Sequence, residues 1–283
     1  MGGTGLIEDS DSSPSTRNKN PKRTRKETMK RKSVSLKLLS QPQNNFKLSK
    51  NIKLDVFTFS LALAHSDLSG YNVCPFAQRI NKPNGENLSS CSAVCVGYNG
   101  NAQRYPIVME SRIRKTKMYF EDRELFMQWL ISDIEKAIDF SLEHEKLPSF
   151  RINAYSDIKW ENVPVTHNGV KYNNLFEIFP EIVFYDYSKH PNRNTPENYH
   201  ITYSHWGNMK DTEKAYSSEQ NIAVVFEEMP ENLMYQGRKI VNGDDTDLRT
   251  PENDGRRVIV GLKFKGSKKE ALNGISEGFV VQA

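Results

Sequence analysis

The three cysteines of the chain lie close together in the sequence. The stretch NVCPFAQRINKPNGENLSSCSAVCVGYNG, residues 72–100, contains Cys74, Cys91 and Cys95, and the chain has no other cysteine. Thiolates are common protein ligands of zinc and the usual ligands of iron–sulfur clusters. Three cysteines in one short stretch, spaced Cys74-x16-Cys91-x3-Cys95, therefore make metal binding one candidate chemistry.

Three interpretations of these cysteines are open. A structural zinc site needs four ligands, commonly in two close pairs, so a histidine such as His65 would have to complete the set. A [4Fe–4S] cluster on three thiolates leaves one iron open for a substrate or cofactor. Three buried thiols without a metal are the third interpretation, although a stretch rich in Asn, Ser and Gly disfavours burial.

Polar side chains follow nearly every strand-like run of the sequence. In parallel α/β folds the chemistry lies at the carboxyl ends of the strands, so we predict the substrate site there. The catalytic candidates are Asp157, Asp186, Lys189 and Tyr203. The candidates for binding a substrate or cofactor are Asn153, Ser156, Tyr187, Ser204, Asp247 and Lys263. Arg114 and Lys115, in the stretch RIRKT, could bind an anionic substrate or phosphate.

The elements that would position these residues follow from hydrophobic periodicity. Residues Phe126, Leu130, Ile134, Ile138 and Leu142 recur every four positions and predict one long helix. Shorter helical stretches are predicted at 173–180 and 209–219. Strand-like runs occur at residues 54–64, 150–155, 182–187, 199–204, 222–226, 239–243, 257–262 and 278–282. This alternation predicts an α/β fold with a mainly parallel sheet: first a TIM-like barrel, complete or partial, and second an open doubly wound sheet.

The charge of the chain is uneven. Residues 1–50 carry 12 Lys and Arg against 4 Asp and Glu, whereas the remaining residues carry 27 against 31. We predict a disordered basic tail over residues 1–48 and a single barrel-like domain over 49–283. The tail could contact nucleic acid, but a merely solubilising tail is the favoured interpretation, and Met29 is a plausible alternative start.

Membrane insertion and export are not indicated. No apolar run reaches the length of about 18 residues that spans a bilayer, and the first residues lack the apolar core of a signal peptide. An odd number of cysteines without an export signal favours a reducing compartment. We therefore expect a soluble cytoplasmic protein, in a bacterial host if a phage encodes it, and the oligomeric state stays open.

Several long, collinear motifs between Leu54 and Val281 resemble a family of phage and prophage proteins that is similar to the mycobacteriophage gene-88 proteins. The motifs are NVCP, CSAVC, SRIRKT, RINAYSDIKWE, FPEIVFYDYSKHPNR, NYHITYS, NIAVVF, VNGDDTDLR and VGLKFKG. The resemblance implies an α/β barrel related to radical S-adenosylmethionine enzymes, with a cysteine loop after the first strand. Those enzymes carry C-x3-C-x2-C and a Gly-Gly-Glu stretch, and this sequence has neither.

Two functional hypotheses follow. The first is an enzyme with a [4Fe–4S] cluster on Cys74, Cys91 and Cys95, using S-adenosylmethionine as a further cofactor and acting on a nucleotide, a nucleic acid or another small anionic substrate. The second is a non-catalytic protein, containing zinc or bare thiols, whose basic tail binds nucleic acid. The metal content of the purified protein distinguishes the two hypotheses.

Overall fold

A computed structural model of the chain describes residues 1–2, 34–77 and 105–282. The chain divides into a unit of residues 1–33 and a unit of residues 34–283, and the architecture below concerns the second. Cys91, Cys95, Met29 and residues 3–33 of the predicted tail lie outside the described residues.

Twelve strands and five α-helices are described. The strands are β1 (Leu39–Ser40), β2 (Val56–Leu61), β3 (Leu147–Arg151), β4 (Val165–His167), β5 (Val170–Tyr172), β6 (Val183–Ser188), β7 (Tyr199–Ser204), β8 (Ile222–Phe226), β9 (Met234–Tyr235), β10 (Arg238–Asn242), β11 (Ile259–Lys263) and β12 (Val280–Val281). The helices are α1 (Pro106–Glu121), α2 (Arg123–Glu143), α3 (Met209–Tyr216), α4 (Pro251–Asp254) and α5 (Lys268–Ser276). Short 3-10 helices cover Pro42–Asn44, Leu48–Leu54, Trp160–Asn162 and Leu175–Glu177.

Ten of the strands form one sheet in the order β1-β2-β3-β6-β7-β8-β11-β10-β9, with β12 paired to β8. The pairs β1–β2 and β9–β10 are antiparallel, and the other pairs are parallel. The prediction of an α/β fold with a mainly parallel sheet is therefore confirmed. All eight predicted strand runs overlap a strand, because each is rich in β-branched and aromatic residues, although the run 150–155 shares only Phe150 and Arg151 with β3.

A closed barrel is not found in the part of the chain that the structure describes. No pairing there joins β1 to β9, so the sheet has two edges. Strand β11 also lies between β8 and β10, whereas the strands of a TIM barrel follow one another in chain order. The prediction of a complete TIM-like barrel is thus not supported.

One face of the sheet is a buried aromatic layer. The cross-strand neighbours Phe59, Phe150 and Phe184 stack in register, with ring centroids 5.7 and 5.3 Å apart. Phe140 of α2 packs on this layer 6.4 Å from Phe59, which explains the apolar stripe of the long helix. The predicted helix is confirmed over Arg123–Glu143 and is capped by the Asp122 carboxylate. No helix of the described residues is long and apolar enough to cross a membrane.

The opposite face of the same strands is polar. Thr58 of β2 and Ser149 of β3 share a hydrogen bond of 2.8 Å, and Asn51 donates to Thr58 and to the hydroxyl of Tyr185. Because side chains alternate between the two faces of a strand, this polar layer directly backs the aromatic one. Buried polar groups on this face are held by hydrogen bonds to one another, which lowers the cost of their burial.

Residues 34–48 belong to the folded unit, so the predicted tail extends too far along the chain. Leu39 and Ser40 pair with β2, and Leu38, Leu39 and Leu48 are buried. The buried carboxylate of Asp133 in α2 accepts hydrogen bonds from the amides of Lys37, Leu38 and Leu39. This anchor cannot be read from a local run of sequence, because its partners are more than 90 residues apart.

Candidate functional site

A cavity of about 440 Å³ lies at the carboxyl ends of the parallel strands. Its wall is formed by the segments that follow β2, β3, β6, β7 and β11, together with residues of β8 and the segments around α5. This is the place at which α/β folds bind ligands. Of the predicted site residues, the wall contains Cys74, Asn153, Ser156, Asp157, Tyr187, Lys189, Ser204 and Lys263.

Cys74 lies on the cavity wall and is half-buried. Its Sγ lies 3.2 Å from the carbonyl oxygen of Tyr155, which also lines the cavity. The backbone amide of Cys74 donates to the side chain of Asn72 at 2.8 Å and fixes the local turn. The first cysteine is thus positioned beside the space in which a ligand would lie.

The turn after β3 is built around Asn153. Its side-chain oxygen accepts hydrogen bonds from the Ser156 hydroxyl, the Ile158 amide and the Trp160 indole, and its amide group donates to the Ile158 carbonyl and the Tyr199 hydroxyl. These bonds use the hydrogen-bonding capacity of the side chain fully. Asn153 therefore shapes the cavity wall rather than offering free polar groups to a ligand, and it also orients the Ser156 hydroxyl, which donates to it.

Asp157 connects this turn with the end of β6. Its carboxylate accepts hydrogen bonds from the Ser188 hydroxyl at 2.7 Å and from the Lys189 amide at 2.8 Å. The buried guanidinium of Arg193 lies 3.5 Å away. Asp157 lines the cavity, but its two oxygens already hold two loops together. This geometry indicates that Asp157 positions the two loops.

Lys189 and Ser204 meet across neighbouring strands. The Lys189 ammonium group donates to the Ser204 hydroxyl at 3.3 Å and lies 5.7 Å from the ring centre of Phe279. All three residues line the cavity. Lys189, a catalytic candidate, and Ser204, a binding candidate, thus lie beside each other at the carboxyl edge of the sheet.

A group of lysines surrounds Asp244 at the cavity. The Asp244 carboxylate accepts from the backbone amide of Lys263 at 3.0 Å and forms an ion pair with Lys265. Lys50 donates to the Asp244 carbonyl. Partial burial lowers the pKa of Lys47, and the charges of Arg151 and Lys265 lower it further, against the opposing effect of the carboxylates. Cationic side chains are thus concentrated here.

Arg151 and Asp247 form a buried ion pair beneath the cavity. Nη1 of Arg151 lies 3.0 Å from Oδ2 of Asp247, and the Tyr185 hydroxyl donates to the same oxygen at 3.3 Å. The guanidinium also lies 4.9 Å from the ring centre of Tyr187. Arg151 itself reaches the cavity wall, whereas Asp247, a predicted binding residue, supports it from below.

Asp186 is fully buried and faces away from the cavity wall. Its carboxyl group accepts from the amides of Ile152 and Asn153 and from the Tyr199 hydroxyl. Burial raises the pKa of Asp186 to about 7, although Arg151 and these hydrogen bonds act in the opposite direction. Because Asp186 is buried and does not line the cavity, the structure does not support the prediction that it is a catalytic residue.

Three further predicted residues do not reach the cavity wall. Tyr203 is buried on the opposite face of the sheet, in a cluster with Ala215 of α3. Arg114 is exposed on α1, and Lys115 donates to the Leu38 carbonyl at 2.6 Å, with its pKa lowered to about 8 by burial. The predictions of a catalytic Tyr203 and of anion binding by Arg114 and Lys115 are not supported by these positions.

The described residues offer no group of three His, Cys, Asp or Glu side chains that could hold a metal ion. His65, the histidine considered as a fourth zinc ligand, is buried, and burial lowers its pKa. Because Cys91 and Cys95 lie outside the described residues, the predicted ligand set is represented here by Cys74 alone.

The cavity wall also contains three cationic residues that are not among the predicted site residues, Lys47, Arg151 and Lys265. Lys47 falls within the predicted tail. Arg151 and Lys265 each carried a usable signal, because they lie at or directly after the carboxyl end of a predicted strand, where ligand-binding side chains concentrate.

The fold and the cavity define an α/β protein with a ligand-sized cavity at the carboxyl edge of a mainly parallel sheet. A family model for Gene product 88 matches residues 15–282, and the chain belongs to this family, a phage family of unknown function. No curated protein and no solved structure matches the chain. The predicted resemblance to phage gene-88 proteins is thus confirmed, while the likeness to radical S-adenosylmethionine enzymes stays a prediction.

Proposed function

We propose that the protein is an enzyme that binds a small anionic substrate in the cavity at the carboxyl edge of the sheet. We further propose that Cys74, Cys91 and Cys95 hold a [4Fe–4S] cluster next to this substrate. The observation that carries the proposal is that the thiol of Cys74 and a concentration of lysines line one cavity.

The charge and shape of the cavity support an anionic ligand. Five basic side chains line it, Lys47, Arg151, Lys189, Lys263 and Lys265, against the three acidic side chains of Asp157, Asp244 and Glu270. The basic side chains outnumber the acidic ones by two, and an excess of one sign of charge in a cleft attracts ligands of the opposite sign. The volume of about 440 Å³ lies within the range of roughly 300–1,000 Å³ that small-molecule sites occupy.

The chemistry of the donor set supports a cluster. Three thiolates can bind three irons of a [4Fe–4S] cluster, and the fourth iron then offers an open position for a cofactor such as S-adenosylmethionine. The geometry of Cys74 is compatible with this role, because its half-buried thiol borders the substrate space. What the chain itself contributes is the binding and orientation of the substrate by the lysines.

Metal analysis of the full chain, purified without oxygen, tests the proposal. We expect about four iron and four sulfide per chain and a brown colour, lost on Cys74→Ser, Cys91→Ser or Cys95→Ser. The matched control Ser92→Ala, between the last two cysteines, should keep the cluster. Stoichiometric zinc would instead favour the non-catalytic zinc-containing alternative, and a chain without metal would exclude both metal sites.

A further inference from the structure

Asp244 of the cavity wall is contacted by three lysine residues, but only Lys265 pairs its ammonium group with the carboxylate. The backbone amide of Lys263 and the ammonium group of Lys265 both bind the Asp244 side chain, and Lys50 binds its carbonyl. Lys47, Arg151 and Lys265 line the same cavity as Asp244. The cavity wall as a whole carries five basic and three acidic side chains, and so an excess of positive charge.

The amino terminus of α5 lies near these lysines but is already occupied. Ser267 accepts from the Glu270 amide, and the Glu270 carboxylate accepts from the Ser267 amide, forming a capping box. A carboxylate therefore already occupies the position at which the helix end would attract an anion. An anionic ligand in this cavity would be held by the lysine side chains instead.

The rest of the cavity wall is largely apolar and aromatic. Phe264 and Phe279 line it beside Leu262 of β11 and Val225 of β8. Aromatic rings offer flat surfaces on which a nucleobase can stack, and such stacking tolerates any base. Cationic and aromatic side chains border the same space, since Lys263 and Lys265 flank Phe264 and the Lys189 ammonium lies 5.7 Å from the ring centre of Phe279. This lining suits a ligand that combines an anion with a flat apolar group.

We propose that the ligand of the cavity is a nucleotide of mononucleotide size, with its phosphate at Lys263 and Lys265 and its base against Phe264 and Phe279. This inference rests on the proposed function, because it assumes that the cavity is the substrate site. A phosphate monoester carries a charge of about −1.5 to −2 near pH 7, which suits a cavity wall where basic side chains outnumber acidic ones.

Calorimetric titration of the full chain tests this assignment. The probes are the four ribonucleoside 5′-monophosphates, the corresponding nucleosides and inorganic phosphate, each at low and at high salt. We expect at least one monophosphate to bind roughly ten-fold or more tightly than its nucleoside and than inorganic phosphate, and to weaken as salt screens the lysines.

Two variants test separately where the phosphate and the base of the nucleotide bind. The double variant Lys263→Ala/Lys265→Ala should weaken nucleotide binding by roughly ten-fold or more. Its control Lys268→Ala/Lys269→Ala removes the same charge from exposed positions of α5 outside the cavity wall and should bind normally. Phe279→Leu should weaken nucleotide binding but leave any weak binding of inorganic phosphate unchanged.

Binding of nucleosides as tight as that of monophosphates, equal binding of inorganic phosphate, equal loss in the control variant, or no binding at all would each overturn the assignment. The metal analysis is independent of these titrations. Nucleotide binding to a metal-free chain would retain this inference and remove the cluster, whereas an iron–sulfur protein that binds no nucleotide would do the reverse.

Discussion

Arg151 donates to Asp247 across 96 residues of sequence, with Nη1 3.0 Å from Oδ2. The side chains are 15% and 3% exposed, so the pair is largely shielded from water. The backbone amide of Asp247 in turn donates to Asn51 at 2.8 Å. The pair thus fastens the segment after β10 to the end of β3 and forms the floor beneath the cavity.

We predict that Asp247→Asn destabilises the protein by roughly 3–5 kcal/mol. Removing one partner of a buried ion pair leaves the other charge without compensation. Urea denaturation followed by circular dichroism measures the effect. The control Asp245→Asn removes an exposed carboxylate two residues away and should stay within about 0.5 kcal/mol of the parent chain. Equal stability of the two variants would show that the pair does not support the floor.

A second prediction concerns the attachment of residues 34–40. Asp133→Ala should lower the free energy of unfolding by about 3 kcal/mol, because three backbone amides lose their charged acceptor inside the protein. Hydrogen exchange should accelerate most at Lys37, Leu38 and Leu39. The control Asp139→Ala lies on an exposed position of the same helix. Unchanged exchange at these three amides would rule out the anchoring role.

The sheet could be predicted from the sequence because its strands are local patterns. Runs such as IAVVF and HITYS contain β-branched and aromatic residues of strand length, and β8 and β7 form there. Helix α1 escaped prediction because its apolar residues make no clear stripe. The hairpin β4–β5 is not among the predicted elements, although its two-residue turn Asn168-Gly169 is a sequence that favours a hairpin.

The site was predicted less completely because it depends on which face a residue occupies. Tyr203 and Ser204 are neighbours in β7, yet Ser204 lines the cavity and Tyr203 is buried on the other face. Alternation along the strand requires that only one of them face the ligand. Asp247 is a further case, because its role depends on Arg151, a partner that no local pattern identifies.

A third prediction follows from the buried carboxyl group of Asp186, whose pKa burial raises to about 7. An unfolded aspartate has a pKa of about 3.9, so between roughly pH 4 and 7 the folded chain keeps a proton that the unfolded chain has lost. The stability contributed by this proton is present below pH 4 and is lost as the pH rises to 7, at up to about 1.4 kcal/mol per pH unit.

Asp186→Asn should remove this dependence, because the amide does not titrate. Urea denaturation of both proteins between pH 4.5 and 7.5 is the measurement. We expect the free energy of unfolding of the parent to fall relative to that of the variant as the pH rises, since only the parent loses stability through Asp186. Two curves that run parallel across this window would contradict a raised pKa at Asp186.

A close backbone approach gives the last prediction. Gly207, after β7, has a φ of +85°, and a Cβ atom there would overlap the Glu277 carbonyl oxygen and lie 3.2 Å from the Gly278 Cα atom. Gly207→Ala therefore adds a clash with the backbone to the strain of a positive φ, and we expect a loss of about 2 kcal/mol or more. Gly70→Ala is the control, because Gly70 has a φ of +89° and open space around its missing Cβ atom. The difference in thermal stability between the two variants isolates the effect of the clash. The clash should also displace Phe279, the residue that follows Gly278 and lines the cavity. If both variants lose the same stability, the contact between Gly207 and Gly278 does not constrain this wall.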